Sequence, residues 1–236
     1  MRICGVDEVG LSSIAGPVFA CAVVMDTAER HTIPGVDDSK KLSRKTREAL
    51  APLIGEKFEF AFGAAGPREV ETSNVYWARY AAMRRAVMAL ARRTRIDFVI
   101  VDGNRIIPGL PDWIDQKAFP KADSNIWEVS CASILAKVRR DNLMSFLASK
   151  EKYNHYGWQT NAGYYTPEHR RGIILHGSTA YHRRTFELFR YSMFSREEYE
   201  RFLAAGGTSE AFFLKEAEQK AYGGFLSWKN GAKETP

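Results

Sequence analysis

Two adjacent carboxylates, Asp7 and Glu8, end the apolar run "RICGV", with Gly10 soon after and a Gly16-Pro17 pair closing the segment. Asp102 stands directly after "DFVIV", and Asp123 lies within "PKADSN". Charges ending a strand are costly if buried unpaired, so a compensating partner is expected. Four clustered carboxylates repel one another unless cations sit between them, and hard oxygen ligands favour Mg²⁺ or Mn²⁺. A pair of such ions activates a water and stabilises the leaving oxygen of a phosphodiester. Taken singly, the same residues have plainer uses: Asp102 before Gly103 suits a turn, and Asp123 before Ser124 suits the cap of a following helix. Strict alternation would send Asp7 and Glu8 to opposite faces of a sheet. The chain is therefore expected to leave the strand there, with Gly10 permitting the departure.

The elements that must position these residues are legible as patterns. "RICGVDEV" and "VFACAVVMD" read as strands joined by the Gly10–Gly16 turn. "DDSKKLSRKTREALAPLI" predicts a short helix capped by Ser43, with Leu42, Leu50 and Leu53 as its apolar contacts. "KFEFAFGAA" alternates as a half-buried strand does. "NVYWARYAAMRRAVMALARR" predicts a long amphipathic helix with basic outer positions. "DFVIVDGN" predicts a buried strand ending on Asp102-Gly103, and "IWEVSCASILAKVRRDNLMSFLASK" a second long helix. From Tyr153 the chain reads as an aromatic loop, returning to helix near Pro167 and again near Ser178. "SREEYERFLAAGG" opens with a Ser195/Glu198 capping box and stops at Gly206-Gly207, and "SEAFFLKEAEQKAYGG" predicts a further helix. Strands first, separated by helices, argue for an α/β core with a helical C-terminal part. Residues 1–190 are expected to form the core domain and 191–236 a helical extension and tail.

With 45% hydrophobic residues in 236, the chain can bury a sizeable core. No run approaches the roughly 18 uncharged apolar residues of a membrane helix, and Asp7 and Glu8 interrupt the only N-terminal candidate for a signal peptide. Cys4, Cys21 and Cys131 are far apart among small or apolar residues, which suits buried thiols in a reducing compartment, the cytoplasm. The net charge of +6 fits a polyanionic partner. Paired basics (Arg84-Arg85, Arg92-Arg93, Arg139-Arg140, Arg170-Arg171, Arg183-Arg184) suit phosphate neutralisation. The aromatics crowding Tyr153 to Tyr165 suit base stacking; a solvated helix face and core aromatics are the plainer readings. No G-x-G-x-x-G follows the first strand, which sets aside a dinucleotide-binding domain.

The order of motifs resembles type 2 ribonuclease H, the ribonuclease HII family. "GVDEVG" with "AGPV" is similar to that family's G-[IV]-D-E-A-G-R-G-x-x-A-G-P-V. "DSKKLSRKTREAL", "VETSNVYWARYAAMRRAV", "VIVDGN", "KADSN" with "SCASILAKVRRD", and "YGWQTNAGYYT" with "YHRRTF" resemble its later blocks, in order, over residues 3–190. The resemblance implies a ribonuclease H-like mixed sheet flanked by helices with a C-terminal helical region. It also implies metal-dependent hydrolysis of the RNA strand of RNA–DNA hybrids, leaving 5′-phosphate and 3′-hydroxyl ends. Asp7, Glu8, Asp102 and Asp123 take the family's catalytic, metal-holding positions for two ions, Mg²⁺ or Mn²⁺. Asp141 matches a further aspartate, read here as structural and paired with an arginine. Lys40, Asn74, Lys121 and Lys137 match positions suited to phosphate contact or site support. Tyr164 matches the tyrosine that packs against the sugar at an RNA–DNA junction, where a 2′-hydroxyl would crowd the ring; Tyr165 is read as loop packing.

The pattern departs at the substrate-reading tripeptide. Where the family has Gly-Arg-Gly, this chain has Gly10, Leu11 and Ser12: a guanidinium with five donors is lost and a β-carbon is gained. The loop "NAG" has Ala162 where the family often carries lysine. The expectation is a retained divalent-metal nuclease with altered preference for a lone ribonucleotide in DNA, acting on nucleic acid as a monomer away from membranes. The alternatives are a same-fold nuclease with a different nucleic-acid substrate and a non-catalytic nucleic-acid-binding paralogue.

Overall fold

The computed structural model describes residues 1–186 and Ala204. The chain divides into two compact units, one of residues 1–11 and 16–143, the other of residues 12–15 with the chain from Met144 onward. The expected helices of 191–236, with the Ser195/Glu198 box, and the expected domain boundary at 190 lie outside the described residues.

The first unit is built on a five-stranded mixed sheet. Strand β1 (Arg2–Val9) pairs antiparallel with β2 (Val18–Asp26), and β2 pairs antiparallel with β3 (Glu59–Ala65). On its other side β1 pairs parallel with β4 (Phe98–Asp102), which pairs parallel with β5 (Gln116–Phe119), giving the order β3-β2-β1-β4-β5. The central strands are buried on both faces and carry near-continuous apolar runs, whereas β3 at the edge keeps the alternation read from its sequence.

Helices α1 (Arg44–Lys57) and α5 (Trp127–Ala148) cover one face, where Cys21, Val23 and Met25 of β2 pack with Leu50, Ile54, Trp127, Cys131 and Ile134. Ser43 caps α1, its hydroxyl accepting from the Thr46 amide at 3.0 Å. Leu53 does not join this core as expected. It is 50% exposed, and Ile54, one helical turn on from Leu50, takes the inward place. Helix α5 approaches β1 so closely that a β-carbon on Gly5 would lie 2.3 Å from the Glu128 carbonyl carbon.

Helix α3 (Val75–Ala91), preceded by the short α2 (Pro67–Ser73), covers the opposite face. Its buried stripe is rich in small residues (Ala78, Ala82, Ala86) with Met83, Val87 and Leu90, while Arg84 and Arg85 lie on the exposed side as expected. The sequence reading passed over α2, β5 and the four-residue α4 (Ala122–Asn125). β5 is only "QKAF", too short to show a period.

The second unit holds the end of α5, a 3-10 turn at Glu151–Tyr153, α6 (Trp158–Asn161) and α7 (Pro167–His176). Tyr156, Trp158, His169 and His182 are buried, so much of the aromatic crowd is core and not a stacking platform. The helix expected near Ser178 is not there among the described residues. Gly177 ends α7, the Thr179 amide donates to the His182 ring at 2.9 Å, and His182 bridges to Ala15. One member of each of three basic pairs, Arg140, Arg170 and Arg183, is fully buried, which removes those side chains from any role in neutralising phosphates at the surface.

Candidate active site

The chain does not leave β1 at Asp7-Glu8. Pairing continues through Asp7↔Cys21, Glu8↔Ala20 and Val9↔Phe19. Alternation therefore holds, and the two carboxylates are divided between faces. Asp7 shares its row with Cys21 and Phe62 toward α5. Glu8 shares its row with Ala20 and Gly63 toward α3, where a β-carbon on Gly63 would meet the Ala82 carbonyl oxygen at 2.0 Å. Gly10 makes the turn one residue past the strand, at φ +91°. A β-carbon there would lie 2.2 Å from Nε of Arg140, whose guanidinium is fully buried and donates to the Pro17 carbonyl at 3.0 Å.

The parallel ladder of β1 and β4 runs to Val6↔Val101, so its next rung sets Asp102 beside Asp7. Oδ1 of Asp102 accepts from the amides of Ala122 at 2.7 Å and Asp123 at 3.5 Å. Asp102 thus caps α4, and Asp123, read from sequence as a possible cap, is freed for the site. Asp123 is 3% exposed, and its Oδ2 accepts from Lys40 Nζ at 2.7 Å. The segment Asp38-Ser39-Lys40 is itself fixed to α4 and α5. Asp38 accepts from the Ser124 hydroxyl at 2.8 Å and from the Lys40 amide at 2.9 Å, and Ser39 and Ser133 share a hydroxyl hydrogen bond of 2.7 Å.

Four acids meet few cations. Burial pushes the Asp7 carboxyl well above the ordinary aspartate range, the charges of Glu8 and Asp102 add to that, and a hydrogen bond with Ser133 opposes it. Burial lifts Glu8 to about 7, against the pull of Arg79 and with the push of Asp102. Asp102 is raised by burial and by the charge of Asp123. Arg79 Nη1 stands 3.6 Å from Glu8 Oε1, while the buried Oε2 of Glu8 has no hydrogen-bond partner. Among the described residues no three such side chains are gathered closely enough to hold an ion, so the convergence expected from the sequence is not seen in this arrangement, and Glu8 lies on the face opposite Asp7. In donor type, burial and unmatched negative charge, however, the all-oxygen set suits hard divalent cations.

The remaining candidates are placed as follows. Gly10 is buried, Leu11 half-buried and Ser12 exposed. Asn74 caps α3, its Oδ1 accepting from the Trp77 amide at 3.2 Å. Lys121 is exposed, in left-handed backbone just before α4. Lys137 donates to Asp141 at 2.8 Å, and Arg47 lies 4.0 Å from the same carboxylate, so Asp141 is held in a structural ion pair. Tyr164 is half-buried in the second unit, and its carbonyl accepts from His169 Nδ1 at 2.9 Å. The sequence reading missed Asp38, Ser39 and Ser133, though it quoted the blocks that contain them, and it missed Arg79, the lone charge in the first turns of α3.

The geometry brings acids from two parallel strands and the helix beyond them to one edge of a mixed sheet, and the comparisons agree with that architecture. The Ribonuclease HII family profile matches residues 4–192. Ribonuclease HII of Magnetococcus marinus is 41% identical over 186 residues, covering 78% of this chain and 84% of that protein. Among solved structures, ribonuclease H2 from Pyrococcus horikoshii is similar with a TM-score of 0.67 and 27% identity, covering 85% of this chain and 99% of that one. Bst-RNase HIII in complex with Mn²⁺ shares the fold at a TM-score of 0.68 and 21% identity, covering 81% of this chain and 69% of that one. With the match spanning both the acid-bearing strands and the Tyr164 loop, the chain belongs to the ribonuclease HII family, endonucleases that cut the RNA strand of RNA–DNA hybrids.

Proposed function

We propose that Asp7, Glu8, Asp102 and Asp123 hold two divalent cations, Mg²⁺ or Mn²⁺, and that cleavage leaves 5′-phosphate and 3′-hydroxyl ends. The observation that carries this reading is the excess of buried carboxylate over nearby cation, with Glu8 Oε2 unpartnered inside it. When bound, such ions supply Lewis acidity to a phosphoryl oxygen and lower the pKa of an attacking water. The chain's own groups do the rest. The amides of Ala122 and Asp123 fix the Asp102 carboxylate, and Ser133 steadies Asp7. Lys40, its side chain 77% exposed, spends one of three donors on Asp123 and presents the others toward solvent, where a substrate phosphate would arrive. Lys121, Lys137 and Asn74 belong to the same reading as phosphate contacts or supports, and Tyr164 as the ring that meets a deoxyribose.

Leu11 and Ser12 replace the side chains expected to read the ribonucleotide through Gly10 and its neighbours, so preference for a lone ribonucleotide in DNA is weakened. Three buried free thiols among the described residues fit a reducing cytoplasm, and no described helix is long and apolar enough to cross a membrane. The test compares a duplex carrying one embedded ribonucleotide with a long RNA–DNA hybrid, with product ends mapped. Hybrid cleavage that requires divalent metal and vanishes in Asp7→Asn supports the reading. Efficient cleavage of the single-ribonucleotide duplex alone refutes the part resting on Leu11 and Ser12, and metal-independent cleavage refutes the rest.

A further inference from the structure

Two hollows of about 790 and 540 Å³ run along edge strand β3 and the C-terminal half of α3. Two of their guanidiniums are occupied: Arg85 and Arg93 donate to the β3 carbonyls of Ala64 and Phe60, covering an exposed strand edge. A third hollow, about 440 Å³, differs in kind. It is lined by Tyr76, Arg79, Tyr80, Asn104 and Arg105, between the first turns of α3 and the loop that follows Asp102. No carboxylate lines it, and its polar side chains are two guanidiniums, an amide and two phenols.

Arg79 is positioned there without being saturated. Its Nη2 donates to the Tyr80 hydroxyl at 2.7 Å, and its guanidinium carbon sits 4.6 Å over the Tyr80 ring and 5.5 Å over the Tyr76 ring. Its Nη1 is 3.6 Å from Glu8, too far for a closed hydrogen bond, and its buried Nε has no partner. Arg105 stands exposed, three residues beyond Asp102. On the rim, Trp77 is 50% exposed and packs edge-to-face with the exposed Tyr76 at 5.2 Å. Donors converging in a hollow with open rings at its lip are the combination that a nucleic-acid strand requires, the donors for a phosphate and the rings for a nucleoside.

We propose that this hollow is a subsite for the sugar–phosphate backbone of the substrate. Arg79 and Arg105 hold a phosphate neighbouring the one being hydrolysed, and Tyr76 and Trp77 stack on the nucleoside attached to it. The register follows from Arg79, whose other edge faces Glu8. The proposal rests on the nucleic-acid reading above and adds to it a contact made by residues outside the carboxylate set.

The experiment measures binding of the full-length Asp7→Asn chain to a labelled RNA–DNA hybrid over a salt series, and steady-state cleavage by the otherwise unaltered chain. Arg105→Ala and Trp77→Ala alter exposed side chains and are expected to fold. Each should raise Kd and KM about tenfold with kcat nearly unchanged. Arg105→Ala should reduce the salt slope by about one, and Trp77→Ala should leave it alone. A single methylphosphonate beside the scissile phosphate should slow the parent enzyme and add no further defect to Arg79→Ala with Arg105→Ala. Arg95→Ala, remote from the site, should match the parent. Unchanged affinity, slope and methylphosphonate sensitivity in all three variants, from a parent that still binds and cuts the hybrid, overturns the subsite alone. A parent that neither binds nor cuts the hybrid overturns the functional reading and the subsite with it.

Discussion

Protonating the buried pair His169–His182 tests how the second unit holds the loop that carries Tyr164. Trp158 Nε1 donates to His169 Nε2 at 2.9 Å, so the His169 proton is on Nδ1 and goes to the Tyr164 carbonyl. The Thr179 amide donates to His182 Nδ1, so His182 carries its proton on Nε2 and directs it at His169 Nε2, 3.1 Å away. Neither ring has room for a second proton without turning a donor against a donor. Burial accordingly lowers His169 to about 4, and burial with the neighbouring His169 lowers His182 to about 3. Because the folded values lie below the unfolded value near 6.5, the unfolded chain takes up protons first as pH falls. Stability is complete above about pH 6.5 and is lost as pH falls toward about 4. At pH 5 each imidazole is almost wholly protonated when unfolded and little protonated when folded, a loss of about 2 kcal/mol apiece. His169→Asn keeps a donor near the Tyr164 carbonyl and removes one titrating ring. Urea denaturation at pH 8 and pH 5 should find the variant less stable at both, with its pH-dependent loss smaller than the parent's by about 2 kcal/mol. The difference cancels the carboxylates, which titrate identically in both chains. An equal loss in parent and variant would refute the tautomer assignment.

Three other outcomes concern residues between Glu8 and Ser12. Glu8→Gln should cut kcat about a hundredfold or more yet stabilise the metal-free chain. The raised pKa of Glu8 means that stability falls as pH rises from about 4.5 through about 7, so the gain in EDTA should be about 3 kcal/mol at pH 8 and under about 1 kcal/mol at pH 5; a loss at pH 8 would contradict this. Gly10→Ala combines a positive φ with a clash against the buried Arg140 and should cost about 3 kcal/mol or more in urea unfolding. Leu11→Arg with Ser12→Gly should raise the cleavage ratio of single-ribonucleotide duplex to hybrid about tenfold, measured in one competition assay.

What was legible in the sequence was whatever a period or a cap could express. β1 to β4, α1, α3 and the start of α7 follow from apolar runs, alternation, Ser43 and Pro167. The errors have physical causes. Leu53 and Ile54 are equally apolar, and only the helix phase against the sheet chooses between them. The charges of Asp7 and Glu8 suggested a chain leaving its strand, because two acids on opposite faces of a central strand looked too costly. The fold instead gives each face its own partner, Ser133 for Asp7 and Arg79 for Glu8. The aromatics from Tyr153 onward could be counted but not turned inward or outward. That depended on Tyr156 donating to the Gly177 carbonyl and on His169 Nε2 accepting from Trp158 and His182. Arg79 was hidden because a lone arginine on a helix is usually solvated; its half-buried position depends on the rings of Tyr76, one turn before it, and Tyr80, the next residue.

Strand direction explains why acids so distant in the chain collect at one edge. β1 and β4 run the same way, so both end there, and Asp7 and Asp102 arrive on neighbouring rungs. β5 is parallel to β4 and ends at the same edge, which delivers Lys121, Ala122 and Asp123 directly to the Asp102 carboxylate. Were β4 antiparallel, its five residues would carry Asp102 to the far edge, roughly 16 Å away. The antiparallel β2 serves the opposite purpose, since it begins where β1 ends, and the chain leaves β1 through Gly10 at the same edge. The acids and Gly10-Leu11 are thus neighbours by topology, so on the proposed reading a substitution at Leu11 alters what is read without disturbing the carboxylates proposed to do the cutting.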